Sequence, residues 1–251
     1  MIMNEQIYLS VIVPVYNSQA FIRDSIHKID DCLTEKGICY EIIAVNDGSK
    51  DNSYALLKEM EGQLINLVAL DKGKNGGKGS AIRFGMEHVR GQYVIFIDAD
   101  LAYPANQILV ILKALESGAD VAIACRVLKE SRYEISPSFF RYLYTRHIMG
   151  RFFNLIVRWL VLPGILDTQA GLKGFKKAIS GEICKKQTLN RFSFDVELLF
   201  IARLKGFVIQ QVPIFFKYDH EATTVRFFGD TLRMLRDICL VKLNGMIGKY
   251  R

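Results

Sequence analysis

The sequence predicts an α/β fold: a mostly parallel central sheet covered by helices on both faces. Two observations carry this. Through residues 1–125, short apolar runs alternate with segments of helical periodicity, the pattern of strand–helix–strand units. The runs, among them "SVIVPV" and "YVIFI", are apolar almost throughout rather than at alternate positions, which suits strands buried on both faces. A third observation points to function. Asn17, Asp47, Asp98, Asp100 and Arg126 each stand just after such a run, and in these sheets ligands bind beyond the carboxyl ends of the strands.

The elements follow in order. Residues 8–16 read as a strand. Residues 18–33 space Phe21, Ile22, Ile26, Ile29 and Leu33 as one helical face, with Ser18 as the expected N-cap. Strands are expected over 40–45, 65–70, 93–98 and 120–125, and helices over 51–60, 80–89 and 106–118. Residues 139–162 are rich in aromatic, arginine and aliphatic side chains. On a helix through 147–158, His147, Arg151, Asn154 and Arg158 share one stripe, and Phe153, Ile156 and Leu160 lie opposite. That pattern fits either a helix lying in a membrane interface or a helix facing the core. A helix over 194–206 and a strand over 207–216 follow. A basic amphipathic helix over 227–243 forms a C-terminal extension, so that residues 1–226 form the main domain and 227–251 the appendage.

Composition narrows the function. The chain has 251 residues, half of them hydrophobic, and five prolines, so it can bury a substantial core and is not disordered. The five cysteines form no Cys-x-x-Cys pair and read as reduced, buried residues. The N-terminus has no signal-peptide pattern, and no run of about 20 uncharged apolar residues occurs, so a cytoplasmic chain without a transmembrane helix is expected. The net charge of +7 is uneven: residues 1–125 hold 11 basic and 16 acidic residues, and residues 126–251 hold 22 and 10. A basic second half suggests an anionic partner, either a phosphorylated substrate or a membrane surface. Nucleic acid is not expected, because no motif for it is present and the first half is acidic.

Three constellations carry chemistry. "GKNGGKGS" (73–80) resembles a phosphate-binding loop but has one residue too few between its glycines, and Gly79 stands where a magnesium-binding hydroxyl would be needed. It still offers backbone amides and the cation Lys78 to a phosphate or ribose. Asp47, in "VNDGS", can accept hydrogen bonds from a base or ribose, or can simply form a turn with Gly48. Asp98 and Asp100 share a face if the strand continues past them. Two such carboxylates call for a cation between them, and a hard divalent ion, Mg²⁺ or Mn²⁺, is one answer. A turn whose acids face water is the other.

In combination these pieces resemble family 2 glycosyltransferases, the inverting nucleotide-sugar enzymes of the GT-A fold. "SVIVPVYN", "IIAVNDGSKDNS", "NGGKGSAIRFGM" and "FIDADLAYP" occur in the family's order. "DTQAGLKGF" (167–175), "FSFDVELLFIARLKGF" (192–207) and "VPIFF" (212–216) are similar to the branch that transfers one sugar to a polyprenyl phosphate, especially the dolichyl-phosphate glucosyltransferases. The likeness spans residues 8 to 245. It implies that Pro14, Tyr16, Asn17, Asp47, Lys78, Gly79 and Asp98 bind the nucleotide sugar, and that Asp98 and Asp100 hold the metal. It implies further that Arg126 lies near the phosphates, that Arg126, Arg141 and Arg226 meet the acceptor phosphate, and that Asp195 and Glu197 are acceptor-side acids. Asp100, Arg126 and Asp195 are the catalytic candidates. Asp167, Gln169 and Lys173 mark the family's DTQ-x-G-x-K stretch.

Some mannosyl-transferring relatives carry a glutamine two residues after the second acid, where this chain has Ala102. That difference favours a glucosyl donor, UDP-glucose, over GDP-mannose or a UDP-N-acetylhexosamine. The acceptor implied is a polyprenyl or dolichyl phosphate at the cytoplasmic membrane face, with peripheral attachment. A soluble or polysaccharide acceptor, or a non-catalytic nucleotide-sugar sensor, stays open at this point, as does the oligomeric state. A phosphate monoester is largely dianionic at neutral pH. Such an acceptor needs little help from a general base, which leaves Asp195 as a positioning group, a base or a structural residue.

Overall fold

A computed structural model of the chain describes residues 6–135, 154–191, 193–218 and 227–250. Strands β1 (Leu9–Val15), β2 (Tyr40–Asn46), β3 (Leu67–Asp71), β4 (Tyr93–Ile97) and β5 (Val121–Cys125) alternate with helices α1 (Ile22–Glu35), α2 (Ser53–Glu61), α3 (Lys78–Met86) and α4 (Gln107–Glu116). There follow β6 (Arg132–Ile135), a helical segment α5 (154–160), β7 (Leu172–Lys176), α6 (Lys177–Lys186), α7 (Phe194–Leu204), β8 (Ile209–Pro213), β9 (Phe215–Tyr218) and α8 (Phe227–Met246). Seven strands form one sheet in the order β3-β2-β1-β4-β7-β5-β8, and β6 pairs with β9 in a second, two-stranded sheet.

The expected layering holds. Every residue of β2, β4 and β5 is buried, because the sheet separates two apolar cores. One core joins side chains of α1, α2 and α4 to the sheet; the other joins those of α3, α5, α6, α7 and α8. Right-handed crossovers through helices require parallel neighbours, and β1 is parallel to both β2 and β4.

Strand β7 departs from expectation. It runs antiparallel between β4 and β5 and pairs Phe96 with Lys173 and Ile123 with Lys173. Its sequence, LKGFK, carries two lysines and a glycine, so it lacks the apolar signature of its neighbours. The glycine has a packing role: a Cβ on Gly174 would lie 2.6 Å from Ile111 Cγ2, so its absence lets α4 close on the sheet.

Three local expectations are corrected. Helix α1 starts at Ile22 after Phe21, not at a Ser18 cap; the Ser18 hydroxyl donates to Tyr16 O, and its carbonyl accepts from the Phe21 and Ile22 amides. The strand read over 207–216 is two strands, because the chain leaves the main sheet at the buried Ile214 and joins β6. Helix α5 presents Val157, Ile156 and Leu160 to the core, while Leu155 and Trp159 are exposed at 59% and 84%. The core-facing reading therefore holds for one apolar face, and a second apolar face exists that the stripe argument did not identify. His147, Arg151 and Phe153 lie outside the described residues.

Candidate active site

Strand β4 delivers Asp98 to the carboxyl edge of the sheet, but the strand itself stops at Ile97. Leu101 adopts a left-handed φ of 49° and its amide donates to Asp98 O, so the chain turns at once. The expectation that Asp98 and Asp100 share a face along an extended path is therefore corrected. A turn, not a pleat, presents them. Asp98 is partly buried and Asp100 exposed, and Asp100 Oδ1 accepts from the Ala102 amide at 3.1 Å.

A protein cation meets the first carboxylate. Lys78, the first residue of α3, places Nζ 2.5 Å from Asp98 Oδ1. Burial alone would lower the Lys78 pKa; the charges of Asp98, Asp195 and Asp100 outweigh it and hold the ammonium above the ordinary lysine range. The other Asp98 oxygen lies over Gly171, where a Cβ would overlap it, and the Asp98 amide donates to Gly171 O.

A second, deeper pair stands beside the first. Lys173 Nζ lies 2.5 Å from Asp195 Oδ1, donates to Ala170 O and sits 5.4 Å from the centre of the Phe96 ring. Lys173 shares one face of β7 with Phe175, by the two-residue period of a strand. Asp195 is in the first turn of α7, where a carboxylate is favoured by the helix dipole. Burial pushes the Lys173 pKa down and the Asp195 pKa up, each opposed by the partner's charge.

Arg126, just past β5, forms a two-pronged pair with Asp167: Nε and Nη2 donate to Oδ2 and Oδ1 at 2.7 and 2.9 Å, and its amide adds a third bond at 3.1 Å. Burial of Asp167 would raise its pKa; Arg126 outweighs that and holds it below the ordinary range. The segment 167–173 thus reaches each part of the site, through Asp167 to Arg126, Gly171 to Asp98 and Lys173 to Asp195. It also reaches α5, where Thr168 Oγ1 donates to Asn154 Oδ1 at 2.9 Å.

The loops after β1, β2 and β3 form the other side. Asp47 is 3% exposed and accepts from the Gly76 and Gly77 amides at 2.9 and 2.7 Å and from Lys72 Nζ at 2.5 Å. The Gly-rich loop therefore folds onto Asp47, and these two amides are engaged inside the protein rather than left open for a phosphate. What the loop presents is Lys78. A Cβ on Gly48 would lie 2.6 Å from the Asn75 nitrogen, so glycine is required for this approach. Asn17, at φ 50°, accepts from the Lys50 amide at 2.8 Å through Oδ1, and its own amide donates to the Ser49 hydroxyl oxygen at 3.0 Å. It joins the end of β1, with Pro14 and Tyr16, to the Asp47 loop. Gly79 is buried, and a Cβ there would lie 2.5 Å from Phe194 Cβ, so α3 and α7 touch at this glycine.

Two further expectations meet different outcomes. Glu197, expected as an acceptor-side acid, is engaged inside the chain. It is fully buried and its oxygens accept from Thr188, Leu189 and Tyr250. Arg141 and Arg226 lie outside the described residues. Lys72, Asp167 and Gly171 are the site residues that pattern reading did not assign a contact; the quoted DTQAGLKGF motif was the signal for the last two.

Two carboxylates at a strand end, a flanking ammonium and an arginine–aspartate pair suit the binding of a diphosphate through the ammonium, the guanidinium and a cation held by the acids. Comparison with known proteins agrees. The model of "Glycosyl transferase family 2" matches residues 10–177. A dolichyl-phosphate beta-glucosyltransferase of Dictyostelium discoideum is 30% identical over 98% of this chain and 77% of its own length. The human dolichyl-phosphate beta-glucosyltransferase is 29% identical over 97% of this chain and 77% of its own. In fold, the chain is similar to glucosyl-3-phosphoglycerate synthase of Mycobacterium tuberculosis, crystallised with uridine diphosphate (TM-score 0.65, 18% identity, covering 94% of this chain and 79% of that one). The same enzyme has also been crystallised with Mg²⁺ or Mn²⁺ and uridine diphosphate. A family match over about two thirds of the chain, a relative at 30% identity over nearly all of it and the shared architecture lead to one conclusion: the chain belongs to glycosyl transferase family 2 and is a glycosyltransferase with a GT-A fold.

Proposed function

We propose that the enzyme transfers glucose from UDP-glucose to a polyprenyl or dolichyl phosphate at the inner face of a membrane, with inversion at the sugar carbon. The observation that carries this reading is the Lys78–Asp98 pair at the sheet edge, 2.5 Å long and adjoined by Asp195 and Asp100. The donor and acceptor classes rest on the relatives, whose names specify a dolichyl-phosphate beta-glucosyltransferase, and on Ala102.

The site residues divide the work. Lys78 and Arg126 face the charge that develops on the departing diphosphate, which electrostatic stabilisation must offset. Asp98 orients Lys78. The loop built on Asp47, with Pro14, Tyr16, Asn17 and Gly79, forms the nucleotide side. Asp195 acts on the acceptor side by holding the Lys173 ammonium, and Arg141 and Arg226, outside the described residues, are assigned to the acceptor phosphate by the resemblance alone. Because the attacking phosphate is already dianionic, no side chain needs to remove a proton.

Asp98 and Asp100 offer two hard oxygen ligands to a divalent ion; no group of three or more candidate ligands occurs among the described residues, so diphosphate oxygens would have to complete the site beside the Lys78–Asp98 pair. Such an ion, when bound, neutralises diphosphate charge.

Membrane attachment is supported by a surface shared by α5 and α8. Leu155, Trp159, Leu243, Met246 and Ile247 are exposed at 51% or more. A cleft of about 180 Å³ between the helices is lined by Leu160, Ile238, Lys242 and Met246 among others. No helix of the described residues is long and apolar enough to cross a membrane. Residues 1–226 act as the catalytic unit, and the helix that follows contributes to the lipid-facing surface.

The test is transfer to a short polyprenyl phosphate from a panel of UDP- and GDP-sugars, with and without Mg²⁺ or Mn²⁺. Glucosyl-lipid from UDP-glucose is the expected product. No lipid-linked product from any donor would sink the proposal.

A further inference from the structure

Glu197 is a fully buried carboxyl group whose hydrogen bonds run to residues 188–189 and Tyr250. Thr188 N and Leu189 N donate to Oε2 at 2.9 and 2.7 Å, and Thr188 Oγ1 and Tyr250 OH donate to Oε1 at 2.6 and 2.7 Å. Tyr250, in the turn after α8, is 1% exposed and lies edge-on to Phe200. Asn244 Nδ2 donates to the Tyr250 oxygen at 3.1 Å, so the hydroxyl proton is left for Glu197. Four donors on one carboxylate replace the water it lost, and short bonds to a charged acceptor are the strong ones.

The segment that Glu197 grips, 187–190, holds the first turn of α3 from its other side. Ser80 N donates to Asn190 O at 3.1 Å, and Gln187 Nε2 donates to Gly79 O at 2.9 Å. Arg83 Nη1 donates to Gln187 O at 3.2 Å. A Cβ on Gly77 would lie 2.7 Å from Asn190 O, so the contact leaves no slack. Lys78 is the residue between these two glycines.

The geometry points to Glu197 and Tyr250 as positioning residues for donor binding. Tyr250 fixes Glu197, Glu197 fixes 188–190, and that segment sets the first turn of α3 and hence Lys78 against Asp98. Neither residue touches the reacting atoms. The inference rests on the reading that Lys78 meets the donor diphosphate. It goes beyond that reading by tying donor affinity to a tyrosine after the last helix. A displacement near 1 Å at a site of this kind is enough to be felt in catalysis.

The experiment uses the full chain with Tyr250→Phe, Glu197→Gln and Thr188→Val, and with Lys78→Met as the control for the donor loop. It measures the Kd of uridine diphosphate by calorimetry, KM for UDP-glucose, KM for the lipid acceptor, kcat and the melting temperature. Tyr250→Phe and Thr188→Val are expected to raise the uridine diphosphate Kd and the donor KM at least about threefold and to lower kcat as well, with acceptor KM unchanged, because Lys78 meets the diphosphate both when it is bound and as it departs. Thr188 is exposed at its outer side, so Thr188→Val keeps the test intact if a buried variant fails to fold. A lower melting temperature with wild-type Kd and donor KM in both variants would overturn the inference and leave a structural role only. If Lys78→Met binds uridine diphosphate as wild type does, the donor-loop reading fails instead, and the two failures are distinguishable.

Discussion

Lys173 and Asp195 face each other at 2.5 Å across the gap between β7 and α7, with side chains 0% and 6% exposed. A buried ion pair of this kind contributes little by its mere presence, because both charges lose their hydration. Removing one partner is another matter.

Lys173→Met leaves Asp195 buried without its counter-charge, and an uncompensated buried charge costs about 3–5 kcal/mol. The single variant should therefore be strongly destabilised in urea titration. Lys173→Met combined with Asp195→Leu should recover much of that stability while transferring no sugar to lipid phosphate. Full activity in the double variant would remove Asp195 from the acceptor side.

Asp100 separates catalysis from folding more cleanly. Its side chain is exposed at the turn after β4, so Asp100→Ala should leave the melting temperature close to wild type. Transfer should nevertheless fall by about 10²-fold or more, the scale expected when an acid that would hold a charge-neutralising divalent ion is lost. A folded Asp100→Ala enzyme with wild-type turnover would show that the second acid is a turn residue alone.

Gly171→Ala tests the shape of the site rather than its charge. The added Cβ would overlap Asp98 Oδ2, so Asp98 must leave Lys78. Misplacement of about 1 Å costs on the order of 10²-fold in rate, and steady-state turnover should fall accordingly. Gly174→Ala, inside β7, meets Ile111 and Leu115 instead and should lower stability more than rate.

The fates of these residues show what was legible in the chain. The parallel strands β1 to β5 were readable because each is apolar on both faces, and the placing of Asp47, Asp98 and Arg126 at strand ends followed from them. Strand β7 was hidden, because its burial includes a lysine, and Lys173 makes sense only once Asp195 has arrived from 22 residues later. Asp98 and Asp100 were legible as a pair but not in geometry: the left-handed Leu101 breaks the pleat from which their common face was inferred. Lys78 was legible as a cation at a helix start, yet its partner was not, since the ion pair closes between loops that only the sheet order brings together. Glu197 was carried over from the resemblance, and a matched motif does not say which way a side chain points.

Acid should act through Asp167. Burial opposes its charge, but Arg126 outweighs burial, so its folded pKa lies below the unfolded value. A depressed carboxylate contributes stability that is present above the unfolded pKa of about 3.9 and lost as pH falls toward the folded one. Asp167→Asn should therefore be less stable than wild type at pH 7, and the gap should narrow below pH ~4. Urea midpoints at pH 7, 5, 4 and 3 check this; a gap that stays constant with pH would mean that the Asp167 charge contributes nothing.

The apolar surface of α5 and α8 leads to the last prediction. Trp159 is 84% exposed and Met246 75%, large apolar side chains left open to solvent. Substituting exposed side chains usually changes stability by no more than about 0.5 kcal/mol, so Trp159→Ala and Met246→Ser should fold normally and bind uridine diphosphate as wild type does. Each buried apolar side chain is worth about 1.5–3 kcal/mol of transfer from water. Together the two substitutions should weaken binding to liposomes of anionic phospholipid by roughly 10-fold or more on that scale. They should raise KM for a long-chain lipid acceptor while sparing a short, soluble polyprenyl phosphate. Flotation at low salt indistinguishable from wild type would assign membrane contact to another surface, and equal losses with both acceptors would place Trp159 and Met246 in the enzyme's own mechanics rather than at its lipid boundary.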